Sequence, residues 1–299
     1  MLHKSKSTLD MHKYRPKLGD MKTLEKGIHR HVPFHEYQQW DAISKHDLDD
    51  MARSPAHFQA AQSKPQLVTP AMTFGTACHS LILEPQNACE DVAVMPKCDR
   101  RTKAGKEMAA EFKASSEGMA VITQEEYDRI LEMRMAVDRH PVGGPMVKNA
   151  RYIEASANWE DPSTGLRSRC RPDIVHDDLV VDLKTAMDAG RWSFASSMHK
   201  FRYHVQAAYY LDGLINLGVV SPNAKFIFLV VEKLPPHAVA IYAVQQEDIE
   251  RGRLQYERDI IRYAGCKKEN HWPGYSEAIG YIDLPIFSRR EIDALTGNH

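Results

Sequence analysis

"RPDIVHDDLVVDLKTA", from Arg171 to Ala186, decides the fold. Two apolar stretches flank the Asp177-Asp178 pair, which reads as a turn between two strands. Side chains alternate across a strand, so Asp182 and Lys184 project to the same face. If the two strands pair through the His176–Asp178 turn, Asp173 comes to lie beside Asp182. Two carboxylates and one lysine then converge. Carboxylate oxygens suit a hard cation such as Mg²⁺. A lysine next to such a site orients or deprotonates a water, or offsets charge on a phosphate. On spacing alone, a surface hairpin with a salt bridge is the commoner reading, because D-x-K is a common pattern.

Upstream, "ARYIEASANWED" (150–161) and "LRSRCRPDIVH" (166–176) read as strands joined by a "PSTG" turn, with "LVVDLKTA" (179–186) as a third. Before them, "TPAMTFGTACHSLILEP" carries Phe74, Ala77, Cys78, Leu81 and Ile82 at helical spacing, and "TQEEYDRILEMRMAVDRHP" has Thr123 and Glu126 placed for a capping box. A helical segment covers roughly 192–217. The strands "KFIFLVVEK" and "HAVAIYAVQ" follow it, then a charged helix over 247–266. This order gives an α/β fold with a mixed central β-sheet flanked by helices. Residues 1–40 are polar and rich in His and Lys, and are expected to form a loosely ordered arm. Residues 41–299 are expected to form a single domain.

The 299 residues carry a formal net charge of -1, so a nucleic-acid partner needs a local basic patch. Five cysteines without CxxC spacing argue for reduced thiols in a cytoplasm rather than a disulfide framework or zinc ribbon. No apolar run is long enough for a bilayer, and the N-terminal stretch has no secretory h-region. No Walker motif is present.

Two further pairs stand at helical i, i+4 spacing. Gly75 and His79 share one face, where glycine admits another backbone and histidine is a potential ligand. Gln206 and Tyr210 share another, in "HVQAAYY". Singly, each reads as an ordinary core or edge residue. In this order (Gly75…His79, Arg171-Pro172-Asp173, Asp182-Leu183-Lys184, Gln206…Tyr210) the set resembles the PD-(D/E)XK nuclease superfamily in its RecB-like branch. "ISKHDLDDMARSPAHF", "FGTACHSLILEP", "DRRTKAGKE" and "FRYHVQAAYYLDG" look like RecE-type exonucleases (exodeoxyribonuclease VIII). The similarity covers roughly 43–231.

The resemblance implies a restriction-endonuclease-like core and metal-dependent phosphodiester hydrolysis. His79, Asp173, Asp182 and the Leu183 carbonyl would hold Mg²⁺, with Mn²⁺ as a substitute. Glu154 is equally a ligand of a second metal or a solvent-side residue. Lys184 would position or activate the attacking water, and Gln206 and Tyr210 would orient the lysine or the DNA backbone. With only Cys266 in the C-terminal region, no iron–sulfur cluster is expected. The implied activity is degradation of linear double-stranded DNA from its ends, 5′ to 3′, by a homo-oligomeric ring. It would leave 3′ tails for a single-strand annealing protein. A structure-specific or restriction-like endonuclease, a non-catalytic DNA-end scaffold and a hydrolase of small phosphoesters are the alternatives.

Lys97, Arg100, Arg101, Lys103 and Lys106 fall within ten residues and are expected to track phosphates. Arg169 and Arg171 are expected either to meet phosphates or to screen the carboxylates. Arg53 is expected to grip the DNA end.

Overall fold

The computed structural model describes residues 25–63, 68–99, 101–276 and 278–296. The chain enters through β1 (Gly27–His29) and α1 (Phe34–Gln38), then α2 (Lys45–Arg53) and α3 (Pro55–Gln62). Ser44 starts α2 with a capping box shared with Asp47. Ser54 caps α3, whose first residue is Pro55, a position where the missing N–H costs nothing. Next come α4 (Pro70–Leu83), α5 (Ala88–Asp91), β2 (Val92–Met95), α6 (Lys103–Ser115), β3 (Ala120–Thr123), α7 (Gln124–Arg139) and α8 (Gly143–Lys148). Thr123 and Glu126 form the expected capping box of α7.

The strand region holds β4 (Tyr152–Ile153), β5 (Ser156–Glu160), β6 (Arg167–Cys170), β7 (Ile174–Val175) and β8 (Leu179–Ala186). It is followed by α9 (Arg191–Lys200), α10 (Tyr203–Asn216), β9 (Lys225–Glu232), β10 (Val239–Ala243), α11 (Gln246–Glu269) and α12 (Ile286–Thr296). The main sheet runs β10-β9-β8-β7-β4, with β8 and β9 parallel and the other pairs antiparallel. A second antiparallel sheet runs β1-β5-β6, and β2 pairs with β3 in parallel.

Two of the three expected strands are therefore broken, each passing from one sheet to the other. The first breaks at Glu154, which takes a left-handed φ of 47°. The second breaks at Arg171-Pro172-Asp173, where proline has no N–H to continue a ladder. The segment expected as one helix over 192–217 is split as well, by Arg202 with φ 54°.

Successive side chains of the main sheet feed opposite cores. Val180, Phe226, Phe228 and Val230 pack on the side of α2, α10 and α11. Val181, Leu183, Ile227 and Leu229 pack on the side of α4 and α7. α11 crosses α10 closely, because a Cβ on Gly252 would fall 2.2 Å from the His204 carbonyl oxygen. Only glycine permits that approach, and His204 lies two residues before Gln206.

The arm expected over 1–40 is ordered where the structure describes it; residues 1–24 lie outside the described residues. Ile28 pairs with Ala157 in the second sheet, and Tyr37 and Trp40 are buried. The Tyr37 ring packs against Arg169, whose guanidinium lies 5.0 Å from the ring centroid.

Candidate active site

The site grows from the β7–β8 hairpin. His176 N–H donates to Leu179 O at 2.8 Å and closes the turn. The register Val175↔Val180, Ile174↔Val181 brings Asp173 opposite Asp182. Asp173 Oδ2 then accepts the Leu183 N–H at 2.6 Å, which ties the two strands just beyond their ladder. Leu183 itself sits mid-strand in β8, paired with Leu229. Asp173 is 5% exposed and Asp182 3%.

α4 brings in His79 from one side of the sheet. Its Nδ1 lies 3.3 Å from Glu154 Oε1 and 3.3 Å from Asp173 Oδ1. His79, Glu154 and Asp173 offer ligand atoms that all lie within 4.8 Å of one another. The break at Glu154 turns its carboxylate inward, while its own N–H donates to Asp173 O at 2.9 Å. Gly75, one turn before His79, does not serve close packing as expected: a Cβ there would meet nothing within 4 Å.

Electrostatics here are dominated by burial. Burial pushes the Asp173 carboxyl up to about 6; His79 opposes the shift and the neighbouring Asp182 adds to it. Burial disfavours the His79 imidazolium, yet Asp173 and Glu154 outweigh burial and hold it well above the ordinary histidine value. Burial likewise works against the Glu154 anion, but His79 and Arg171 leave it below its usual range. One imidazole and crowded carboxylates form a donor set that suits a divalent cation.

Lys184 closes the other side. Its Nζ lies 2.6 Å from Asp182 Oδ2 and 3.3 Å from Gln206 Oε1, and 4.5 Å from the Tyr203 ring centroid. Gln206, on α10, donates its Nε2 to Asp182 Oδ1 and so holds both members of the pair. Burial lowers the Lys184 amine, but Asp182 and Asp173 outweigh it, so the group stays an ammonium. Tyr210 lies one turn further along α10, half-buried, with its ring against Phe226 and Tyr209.

This geometry has a counterpart in sequence space. The sequence model of the PDDEXK-like domain of unknown function (DUF3799) matches residues 44–285. The chain belongs to this family. A crystal structure of a protein from Eubacterium rectale described as a candidate exonuclease shares the fold. It covers 86% of this chain and 94% of its own at 13% identity, with a TM-score of 0.53. A second solved structure, of SSO0001, aligns over 64% of this chain and 87% of its own at 16% identity, with a TM-score of only 0.27. No curated protein matches the chain by sequence.

The cations expected on this PDDEXK-like chain are less uniform than its carboxylates. Arg169 is not available to DNA: it is 4% exposed and donates to the carbonyls of Tyr37 and Trp40. Nor does it share a sheet with Asp173, because the chain changes sheets between them. Arg171 screens a carboxylate rather than facing outward. Its Nε donates to Glu154 Oε2 at 2.9 Å, and its second nitrogen reaches Val32 O and Ser156 Oγ. Arg53, Lys97, Arg101, Lys103 and Lys106 are exposed. Arg101 pairs with Asp99 and Lys103 approaches Glu107 at 3.9 Å. These lysines and Arg101 fall in the segment that connects β2 to β3. Arg100 lies outside the described residues.

Three residues near the site were not anticipated. Tyr203 supplies the ring under Lys184. Lys45 donates to Phe201 O at 2.9 Å and pairs with Asp49 at 2.7 Å. Burial lowers its amine, Asp49 opposes this, and Lys184 and Arg202 lower it further. Arg202 pairs with Asp49 and Asp259, which holds the break between α9 and α10. Lys45 stands in the "ISKHDLDD" stretch, and no sequence spacing ties it to Lys184.

Proposed function

We propose that this chain is a metal-dependent exodeoxyribonuclease of the RecE type, which degrades linear double-stranded DNA 5′ to 3′ and leaves 3′ single-stranded tails. The observation that carries this reading is the convergence of two groups on one hairpin: His79, Glu154 and Asp173 on one side, Asp182, Lys184 and Gln206 on the other. The four-part sequence order and the RecE-like stretches support it. So does the description of the Eubacterium rectale protein as a candidate exonuclease.

In this reading His79, Glu154 and Asp173 hold a divalent cation, Mg²⁺ or Mn²⁺, with Asp182 and the Leu183 carbonyl completing its surroundings. The ion, when bound, supplies Lewis acidity at the phosphate and a more acidic water. Lys184, held as an ammonium by Asp182 and Gln206, acts as an oriented hydrogen-bond donor to the attacking water or the phosphate. Arg171 keeps Glu154 anionic and in place.

End-labelled linear duplexes are expected to be digested with Mg²⁺ and left intact with EDTA, while covalently closed circles survive. Cutting of closed circles as fast as linear DNA would overturn the exonuclease reading in favour of an endonuclease.

A closed homo-oligomer around the duplex and a single-strand annealing protein as partner complete the proposal. A net charge of -1 supports enclosure as the way to stay on DNA, since global attraction is weak. Light scattering is expected to read a multiple of 34.0 kDa; a mass equal to one chain at micromolar concentration sinks the ring. The five free cysteines fit a cytoplasmic setting, and no described helix is long and apolar enough to cross a membrane.

A further inference from the structure

Lysine carries its three N–H donors on a flexible four-carbon stem. In Lys184, Asp182 Oδ2 and Gln206 Oε1 engage the ammonium at 2.6 and 3.3 Å. Two acceptors leave one donor for a water or a phosphate, and they do not by themselves fix where it points. The Tyr203 ring supplies a third restraint, with its centroid 4.5 Å from Nζ. Tyr203 opens α10 and Gln206 stands three residues further on, so both reach Lys184 from one face of the helix. A ring attracts the whole ammonium charge through its quadrupole, and no N–H has to be given up to it.

The ring is itself held from several sides. Phe201 stacks on it at 5.6 Å, Phe228 lies at 5.7 Å and Phe194 at 6.1 Å. Phe228 is the ladder neighbour of Asp182, so the ring rests on the same stretch of sheet as the lysine. Its place along the chain is set by Arg202, whose φ of 54° strains a residue with a side chain. Arg202 O accepts the N–H groups of Val205 at 3.1 Å and Gln206 at 3.2 Å, so this conformation starts α10 and aims both Tyr203 and Gln206. Ties from two other helices hold it: Arg202 pairs with Asp49 at 3.0 Å and Asp259 at 2.5 Å, and Lys45 donates to Phe201 O at 2.9 Å. Backbone strain persists where the surroundings over-determine it, and such places cluster at working sites.

We propose that Tyr203 is a positioning residue for the phosphodiester reaction: its ring face fixes the Lys184 ammonium so that the remaining N–H meets the attacking water or the phosphate. The inference rests on the nuclease reading for the reaction. It adds that the start of α10 serves the lysine twice, through an amide and through a ring. The ring face carries this role and the hydroxyl does not. A tyrosine that only fills space would serve the fold and leave the lysine's contribution to the rate untouched.

The test is steady-state digestion of a linear duplex in Mg²⁺ by the full chain carrying Tyr203→Phe, Tyr203→Leu or trifluorophenylalanine at position 203. Tyr203→Phe keeps the ring face and is expected to keep most of the rate. Leucine removes the ring. The fluorinated ring has nearly the same shape and a weakened quadrupole. Both are expected to lower kcat about tenfold with KM unchanged. Because fluorination preserves packing, it decides the question even where leucine disturbs the fold. Each loss is expected to vanish in a Lys184→Gln background, since a ring that acts through the ammonium then has nothing to hold. Equal losses in both backgrounds, or a fluorinated ring as active as phenylalanine, overturn the positioning role and leave the nuclease reading standing. A wild-type chain that digests no DNA overturns both.

Discussion

Replacing Asp173 with asparagine is expected to lower turnover on linear duplex DNA by about 10³-fold or more, because an anionic ligand contributing several kcal/mol at the cation is lost. The substitution separates charge from structure. Asp173 accepts the Leu183 N–H at 2.6 Å, and an amide oxygen accepts it equally well. The carboxyl is buried beside Asp182, and burial has already pushed it up to about 6. Neutralising it should therefore leave the melting temperature unchanged or higher. Calorimetric titration should show weaker Mn²⁺ binding, while DNA binding survives through phosphate contacts elsewhere. A variant that digests DNA at the wild-type rate would remove Asp173 from the metal site.

Lys184→Gln is expected to lose roughly 10²- to 10⁴-fold in rate, the usual range for a positioned proton donor or acceptor. Glutamine is preferred to alanine because Asp182 is 3% exposed and needs a donor. Removing the ammonium alone would leave a buried anion uncompensated, at about 3–5 kcal/mol. Gln206 already donates to Asp182 Oδ1, so a second amide can serve Oδ2. Mn²⁺ binding should persist, since His79, Glu154 and Asp173 form the ligand group without the lysine. Near-normal rates at every pH tested would show that the lysine only balances charge.

The parts of the site that are legible in sequence follow local rules. The Asp182–Lys184 face comes from strand alternation, and the Asp173–Asp182 proximity comes from a short turn. The helix of His79 comes from apolar spacing, and Gln206 falls in the segment read as helical over 192–217. What escapes is non-local. Arg169 alternates correctly for the same face as Asp173, yet a ladder partner is set by the whole sheet, and the chain changes sheets at Pro172. Its burial depends on Tyr37 and Trp40, more than a hundred residues upstream in a stretch with weak periodicity. The break before α10 has no glycine or proline to announce it. Arg202 is held there by Asp49 and Asp259, from two distant helices. Glu154 looks like any strand carboxylate until its backbone conformation turns it inward.

That conformation has an evolutionary consequence. A glutamate at φ 47° occupies a region that disfavours any side chain but glycine, at about 1–3 kcal/mol. Selection for stability alone would place glycine at 154. A lineage that no longer needs the carboxylate should drift toward it, and Arg171, whose guanidinium pairs with Glu154, should then be free to change as well. Joint loss of the two would mark relatives that have kept the architecture and given up the chemistry, and would order that event within a family tree.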